Sequence, residues 1–302
     1  MASPLAVVTG ASAGIGRELA REFTRHAYDL VLCAEDERIE DVAAELRGGG
    51  ARVWAVRADL ATGDGVAELA DRVAGLDRAV DVLALNAGIG VGGAFAGSAT
   101  DREDQLRVLG CNITGTVDLA KRLVPDMVRR GSGRVLVSSS TVARLPGPYQ
   151  ATYNASKAFL YSFSLALRAE LRGTGVTVTA MLPGLTDTDF FDRARMTDTR
   201  IGATTVKDDP ARVAREAFAA LTAGRGTVVT GPFYNRLLFA AGRWLPDRAL
   251  PWIFSFFSAP GSARTGRSVP KQRSWEQESS EQGGRGERVT PTHPARNPGT
   301  PH

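Results

Sequence analysis

The chain has 302 residues, 43% of them apolar and 23% charged, which supports a soluble core of one large domain or two small ones. Two cysteines, Cys33 and Cys111, and three histidines supply neither a disulfide framework nor a metal ligand set, and the cysteine usage suits a reducing compartment. The net charge of +4 lies mostly in the tail. From Ala259 onward there are seven Arg/Lys and four Glu, leaving thirty basic against twenty-nine acidic residues elsewhere, so no nucleic-acid face is indicated. Residues 1–9 do not read as a secretory leader, and no apolar run reaches the roughly 18–20 residues of a spanning helix. The expected location is cytoplasmic.

Apolar runs and helical periods then alternate. Residues 5–9 (LAVVT) read as a strand, followed by a glycine-rich turn and a helix over 15–26 with Ile15, Leu19, Ala20 and Phe23 on one side. Further strands are expected at 30–34, 52–58, 80–85, 134–137, 176–182 and 227–230. Helices are expected at 39–46, 65–76, 101–130 with a break near Gly110, 152–172 and 210–221. The strands are continuously apolar, as they must be when helices cover both faces. Such alternation predicts an α/β fold: a mostly parallel seven-stranded sheet, right-handed crossovers, and ligands at the carboxyl ends of the strands. With no linker before about residue 258, residues 1–232 read as one domain.

The turn at 9–16, TGASAGIG, joins the first strand to the first helix. Glycines there allow a tight turn and the close approach of a pyrophosphate, and the helix N-terminus offers N–H groups to it. The spacing is G-x-x-x-G-x-G, so an ordinary glycine-rich turn is the competing reading. Glu35 and Asp36 follow the second strand, where a carboxylate accepts hydrogen bonds from both ribose hydroxyls and repels a 2′-phosphate. No arginine directly follows Ala34 and position 13 is alanine, so the residues lean toward NAD over NADP. A solvated acidic helix start is the alternative.

Tyr153 and Lys157 stand four positions apart on an expected helix, and so share a face. An ammonium beside a phenol favours the phenolate, and a phenol so tuned can exchange a proton with a substrate oxygen. Alone, that spacing occurs by chance on many helices.

Together these motifs resemble the short-chain dehydrogenase/reductase family. The likeness covers about residues 5–230 and rests on their order: TGASAGIG at 9–16, Asp59, Leu85-Asn86-Ala87-Gly88, Asn112 in NITG, the serines at 138–140, YNASK at 153–157, and Pro183-Gly184 with Thr188. The resemblance implies a Rossmann-type doubly wound fold and hydride transfer between NAD or NADP and a carbonyl or secondary alcohol. It implies that Gly10, Ser12, Gly14, Ile15 and Gly16 shape the pyrophosphate site. Asp59 would reach the adenine, Glu35 the ribose, and Asn86 and Gly88 the cofactor cleft. Ser140 would be the catalytic serine, since its spacing of 13 from Tyr153 selects it over Ser138 and Ser139. Tyr153 would be the acid/base, Lys157 its tuner and a ribose ligand, and Asn112 the holder of a water linking Lys157 to solvent. Pro183, Gly184 and Thr188 would contact the nicotinamide half. Two positions depart from the family: Leu85 stands for the first asparagine of the common NNAG, and the Glu35-Asp36 pair is unusual.

Residues 186–205, with Phe190, Phe191, Met196 and Ile201, fall where the family places a substrate-covering segment; a partly apolar substrate and simple packing on the body are both open. Residues 233–257 are rich in large apolar groups but broken by Pro246 and Pro251. Packing over the active-site end is the favoured role, with a membrane interface or a subunit contact as alternatives. Residues 258–302 read as a disordered tail. Helices 101–130 and 152–172 could build a homodimer or homotetramer. A dinucleotide-binding regulatory or scaffold protein is the competing function, and the intact Ser140, Tyr153, Lys157 and Asn112 set argues for the enzyme.

Overall fold

A computed structural model describes residues 3–242, 248 and 250–264. Seven strands, β1 (Leu5–Thr9), β2 (Asp29–Ala34), β3 (Val53–Arg57), β4 (Val82–Leu85), β5 (Gly133–Ser138), β6 (Val176–Leu182) and β7 (Thr227–Val229), form one sheet in the order β3-β2-β1-β4-β5-β6-β7. Every neighbouring pair is parallel. The helices are α1 (Gly14–Arg25), α2 (Arg38–Gly48), α3 (Gly63–Ala74), α4 (Arg102–Leu109), α5 (Thr116–Arg130), α6 (Ala151–Glu170), α7 (Phe190–Arg193), α8 (Arg200–Ala203), α9 (Pro210–Thr222), α10 (Phe233–Ala241) and α11 (Leu250–Ser258).

Strand periodicity explains the two cores. Leu5 and Val7 of β1 face one layer with Leu69 of α3, Leu119 and Met127 of α5 and Leu160 of α6. Ala6 and Val8 face the other, with Leu19 and Phe23 of α1, Ile39 of α2 and Val213 of α9. Both faces of β1 are therefore dry, so no position in it admits a polar side chain until Thr9. Leu85, the departure from NNAG, belongs to the first of these cores.

Strand order reverses between β1 and β4, and this opens the crevice where doubly wound sheets bind ligands. Thr9 and Asn86 stitch the two strand ends together. The Thr9 Oγ1 accepts from Asn86 N and Ala87 N, each at 2.9 Å, and Asn86 Nδ2 donates to Thr9 O at 3.1 Å. Ser138 Oγ donates to Asn86 Oδ1 at 2.9 Å, which ties β5 to the same point.

The expected break near Gly110 is a π turn over Gly110–Gly115, which places Asn112 between α4 and α5. Such single-turn distortions recur at functional sites. At the C-terminal end, Leu250 and Phe254 of α11 pack on Val142 and Leu145, and Phe239 of α10 packs on Ala143 and Leu182. Ordered backbone continues past the expected start of the tail, to Arg264. Ser258 Oγ donates to Pro148 O at 2.8 Å, and Gly261 N donates to Asp198 Oδ2 at 2.7 Å. Residues 258–264 are thus held by polar contacts, against the expectation of disorder from 258. Trp244, Leu245, Pro246 and the tail from 265 lie outside the described residues. Among the described residues no helix is long and apolar enough to cross a membrane.

Candidate active site

One cleft runs across the carboxyl ends of the strands. It is lined by Gly10, Ser12, Gly14, Ile15, Gly16, Glu35, Asp59, Asn86, Gly88, Ser140, Tyr153, Lys157, Pro183, Gly184 and Thr188, so all but one of the sequence-predicted site residues meet on its wall. Asn112 is the exception and sits fully buried behind it.

The glycine turn makes an anion cradle. Gly10 has φ +65°, and a Cβ on Gly16 would fall 2.0 Å from the Gly10 carbonyl, so neither position takes a side chain. No side chain caps α1, whose N-cap is Ala13, and its first turn carries no acidic residue. Its first N–H groups and its positive dipole end are left for a ligand anion.

Carboxylates occupy the far end. Asp36 Oδ2 accepts from Ser12 Oγ at 3.0 Å, and Arg38 Nε donates to Asp36 Oδ1 at 3.1 Å. Burial raises the Asp36 carboxyl, but the hydrogen bonds from Arg38 and Ser12 outweigh it and hold the group below the ordinary carboxylate value. Arg107 of α4 donates to both Asp59, at 2.7 Å, and Glu35. Arg193 lies 3.5 Å from Asp36 Oδ2, and Arg38 also reaches Asp189 at 2.9 Å. Sequence reading found the carboxylates and missed these three arginines. Arg107 and Arg193 come from elements 72 and 157 positions from the acids they meet, a separation that no local pattern reveals. Arg38 was in plain view, two residues beyond Asp36.

At the opposite end, α6 presents Tyr153 and Lys157 as the spacing requires. Lys157 Nζ donates to Ser138 O at 2.9 Å, and lies 5.7 Å from the Tyr153 ring centroid. Burial dominates both groups. It holds the Lys157 ammonium down to about 8 and pushes the Tyr153 phenol above its usual value, with a hydrogen bond from Ser140 pulling the phenol partly back. For Tyr153, desolvation is the larger of the two effects in this geometry. Ser140 caps the short 3-10 turn Thr141–Arg144. Its Oγ accepts from Val142 N at 3.3 Å and donates to Pro183 O at 3.4 Å. Both contacts are long, so the hydroxyl can turn to a better partner.

Asn112 clamps the loop after β4. Its Oδ1 accepts from Ile89 N at 2.9 Å, and its Nδ2 donates to Ile89 O at 3.0 Å and Ser156 Oγ at 2.8 Å. Both donors of the amide are thus engaged with protein, and its oxygen carries one of the two bonds it can accept. The side chain acts on the cleft through Gly88, beside whose Cα both Lys157 Nζ and Asn112 Oδ1 lie.

The covering segment divides its apolar groups. Phe191, Ala194 and Met196 bury one another with Phe190 packed against them; both phenylalanines line the cleft, and the Phe190 ring lies 5.0 Å from that of Tyr153. Ile201 and Phe254 also line the wall. Gln150, missed at the sequence level, lines it too. It is buried, and its Nε2 has no hydrogen-bond partner. A buried amide left unmatched is costly, and a ligand oxygen is the matching group. Among the described residues no cluster of side chains could hold a metal ion.

A cleft with an anion cradle at its middle and a phenol–lysine pair at one end marks an α/β dinucleotide-binding oxidoreductase. Residues 4–199 match the model of the short chain dehydrogenase family. The "Probable oxidoreductase EphD" of Mycobacterium tuberculosis is 37% identical over 188 residues, which are 62% of this chain and 31% of that one; the match thus spans about a third of the longer relative. A short-chain dehydrogenase from Sphingobium yanoikuyae in complex with NADPH superposes with TM-score 0.71 at 30% identity, covering 80% of this chain and 91% of that one. One from Burkholderia phymatum in complex with NAD gives 0.69 at 26%, covering 80% and 92%. The chain belongs to the short-chain dehydrogenase/reductase family.

Proposed function

We propose that this enzyme transfers a hydride between NAD and a partly apolar carbonyl or secondary alcohol, with Tyr153 as the acid/base. The observation that carries the reading is the convergence of Ser140, Tyr153 and Lys157 at one end of a cleft whose other end holds Asp36 and Asp59. A bound nicotinamide supplies or accepts the hydride. Gly10, Gly14, Ile15 and Gly16 seat its pyrophosphate on the α1 N-terminus, and Ser12 fixes the Asp36 carboxylate for the ribose. Pro183, Gly184 and Thr188 line the nicotinamide half. The substrate oxygen sits between the Ser140 hydroxyl and the Tyr153 phenol. In reduction the phenol gives its proton as the oxygen becomes charged, and the Lys157 ammonium stabilises the phenolate that remains.

Phe190, Ile201 and Phe254 favour an apolar body in the substrate, and the unmatched Gln150 amide favours a second oxygen on it. NAD over NADP is supported by the anionic Asp36 at ribose level, with Arg38 and Arg193 already paired to acids. Exposed Leu106 and Leu109 on α4, with Phe159 and Leu165 on α6, support self-association through these helices.

Fluorescence titration with NADH and NADPH, followed by a panel of simple ketones, hydroxyketones and their alcohols, tests the reading. NADH is expected to bind more tightly, and an apolar compound with a second oxygen to turn over fastest. Failure of both nucleotides to bind would overturn it.

A further inference from the structure

Eight of the fourteen exposed large apolar residues among those described lie on α10 and α11. These two nine-residue helices thus carry more exposed large apolar residues than all the other described elements together. Phe233 and Leu237 on α10 are 67% and 55% exposed, and Trp252 on α11 is 81% exposed, with Ile253, Phe256 and Phe257 beside it. Both helices are anchored from their inner sides on the same short segment. Arg144 sits 4.0 Å over the Phe239 ring, and Leu250 and Phe254 pack on Val142 and Leu145. The outward residues are therefore held in place on ordered helices and have no core to enter.

The exposed charge carried by this stretch itself is positive; Asp208 lies buried at the base of α10 and Asp198 beside Gly261. Arg236 and Arg248 are exposed and make no ion pair among the described residues. Between residues 233 and 264 the sequence holds four arginines and a single acid, Asp247. A second copy docking symmetrically would set these arginines against arginines, with almost no carboxylate to answer them. Each helix is about 13 Å long at 1.5 Å per residue, far short of a bilayer's roughly 30 Å core, so neither spans. Tryptophan, phenylalanine and leucine flanked by unpaired arginines fit an interfacial position on an anionic lipid surface.

We infer that α10 and α11 seat this enzyme on an anionic membrane surface, with Trp252 and Leu237 entering the interface and Arg236 and Arg248 meeting the lipid phosphates. The same α11 lends Phe254 to the cleft wall, so the docked helix also borders the substrate site.

Co-sedimentation of the full chain with vesicles tests this, and it needs no turnover, so it stands or falls apart from the hydride-transfer reading. Mixed phosphatidylcholine–phosphatidylglycerol vesicles are expected to bind the protein and phosphatidylcholine alone to bind it weakly, with binding lost at high salt. The exposed substitutions Trp252→Ser and Leu237→Ser together are expected to weaken partition by about tenfold or more, from the apolar area withheld. Their melting temperature and NADH binding should match the parent. Arg236→Glu with Arg248→Glu should remove the preference for anionic lipid. Binding that the Trp252→Ser/Leu237→Ser variant retains would assign it to the basic tail and overturn the inference. So would no binding to either vesicle, or a parent dimer that this double substitution dissociates.

Discussion

Lys157 Nζ donates a 2.9 Å hydrogen bond to the carbonyl of Ser138, the last residue of β5, and so the end of the sheet fixes the ammonium behind Tyr153. The lysine is 5% exposed, and its other close neighbours, Gly88 and Asn112, bring no charge to balance it. The proposed hydride transfer would use a buried cation that the fold alone would not choose.

Stability should show that conflict. The Lys157 ammonium is held down to about 8 from an ordinary 10.5, and at about 1.36 kcal/mol per unit this is a cost to folding on the order of 3 kcal/mol. Below pH 8 the lysine is charged in both folded and unfolded chains, and the full cost applies. Between pH 8 and 10.5 the folded chain sheds its proton first, so parent stability rises with pH; above 10.5 the cost is gone. Lys157→Met should therefore raise the melting temperature at pH 7 while abolishing turnover, and its advantage should shrink toward pH 10. Calorimetry of both proteins across this range checks the sign, and an equal or lower melting temperature for the variant at pH 7 would sink it.

Tyr153→Phe should leave NADH binding within a few-fold and lower kcat by about a hundredfold or more, the scale of general acid–base catalysis. The ring of Phe190 keeps its contact with a phenylalanine at 153, since only the hydroxyl is removed. Stopped-flow hydride transfer with the best ketone of the panel measures the loss. A variant with parental kcat would remove Tyr153 from the chemistry.

The parallel seven-stranded sheet with helices on both faces, and the glycine-turn, serine and tyrosine–lysine residues of the wall, were legible in the sequence, because apolar periodicity and the order of short motifs are local signals. The arginines were not. Arg107 bridges Glu35 and Asp59 only because the chain after β4 brings α4 within side-chain reach of the loops that follow β2 and β3, and Arg193 meets Asp36 only because the covering segment folds back across the cleft. The role of Asn112 was also hidden, since its three hydrogen bonds depend on a π turn, and the sequence marked only a break there. In the apolar C-terminal stretch, composition could not separate the inward Phe239 and Phe254 from the outward Trp252 and Phe257.

The cofactor end makes a sharper test. Asp36→Asn removes the charge that repels a 2′-phosphate and releases Arg38 and Arg193 from one of their acidic partners. NADPH affinity should rise and NADH affinity fall, changing the ratio by about tenfold, or roughly 1.4 kcal/mol. The NADPH gain should fade with added salt, because exposed arginines would carry it. Titration of both nucleotides at two ionic strengths decides the matter, and an unchanged ratio would mean that Asp36 does not face the ribose.

Asn112→Ala should separate support from chemistry. It withdraws the acceptor of Ile89 N and the donor to Ile89 O, and a buried backbone group left unpaired costs about 1–3 kcal/mol, nearer the lower figure where water can enter. Ile89 is only partly buried, so the fold should survive with a melting temperature lower by several degrees. The loop carrying Gly88 should then loosen beside Lys157. Both the NADH dissociation constant and kcat are expected to worsen, since Gly88 borders the cleft and the ammonium together. If Asn112→Ala lowered kcat without touching stability or nucleotide binding, its part would be in proton movement and not in clamping the loop.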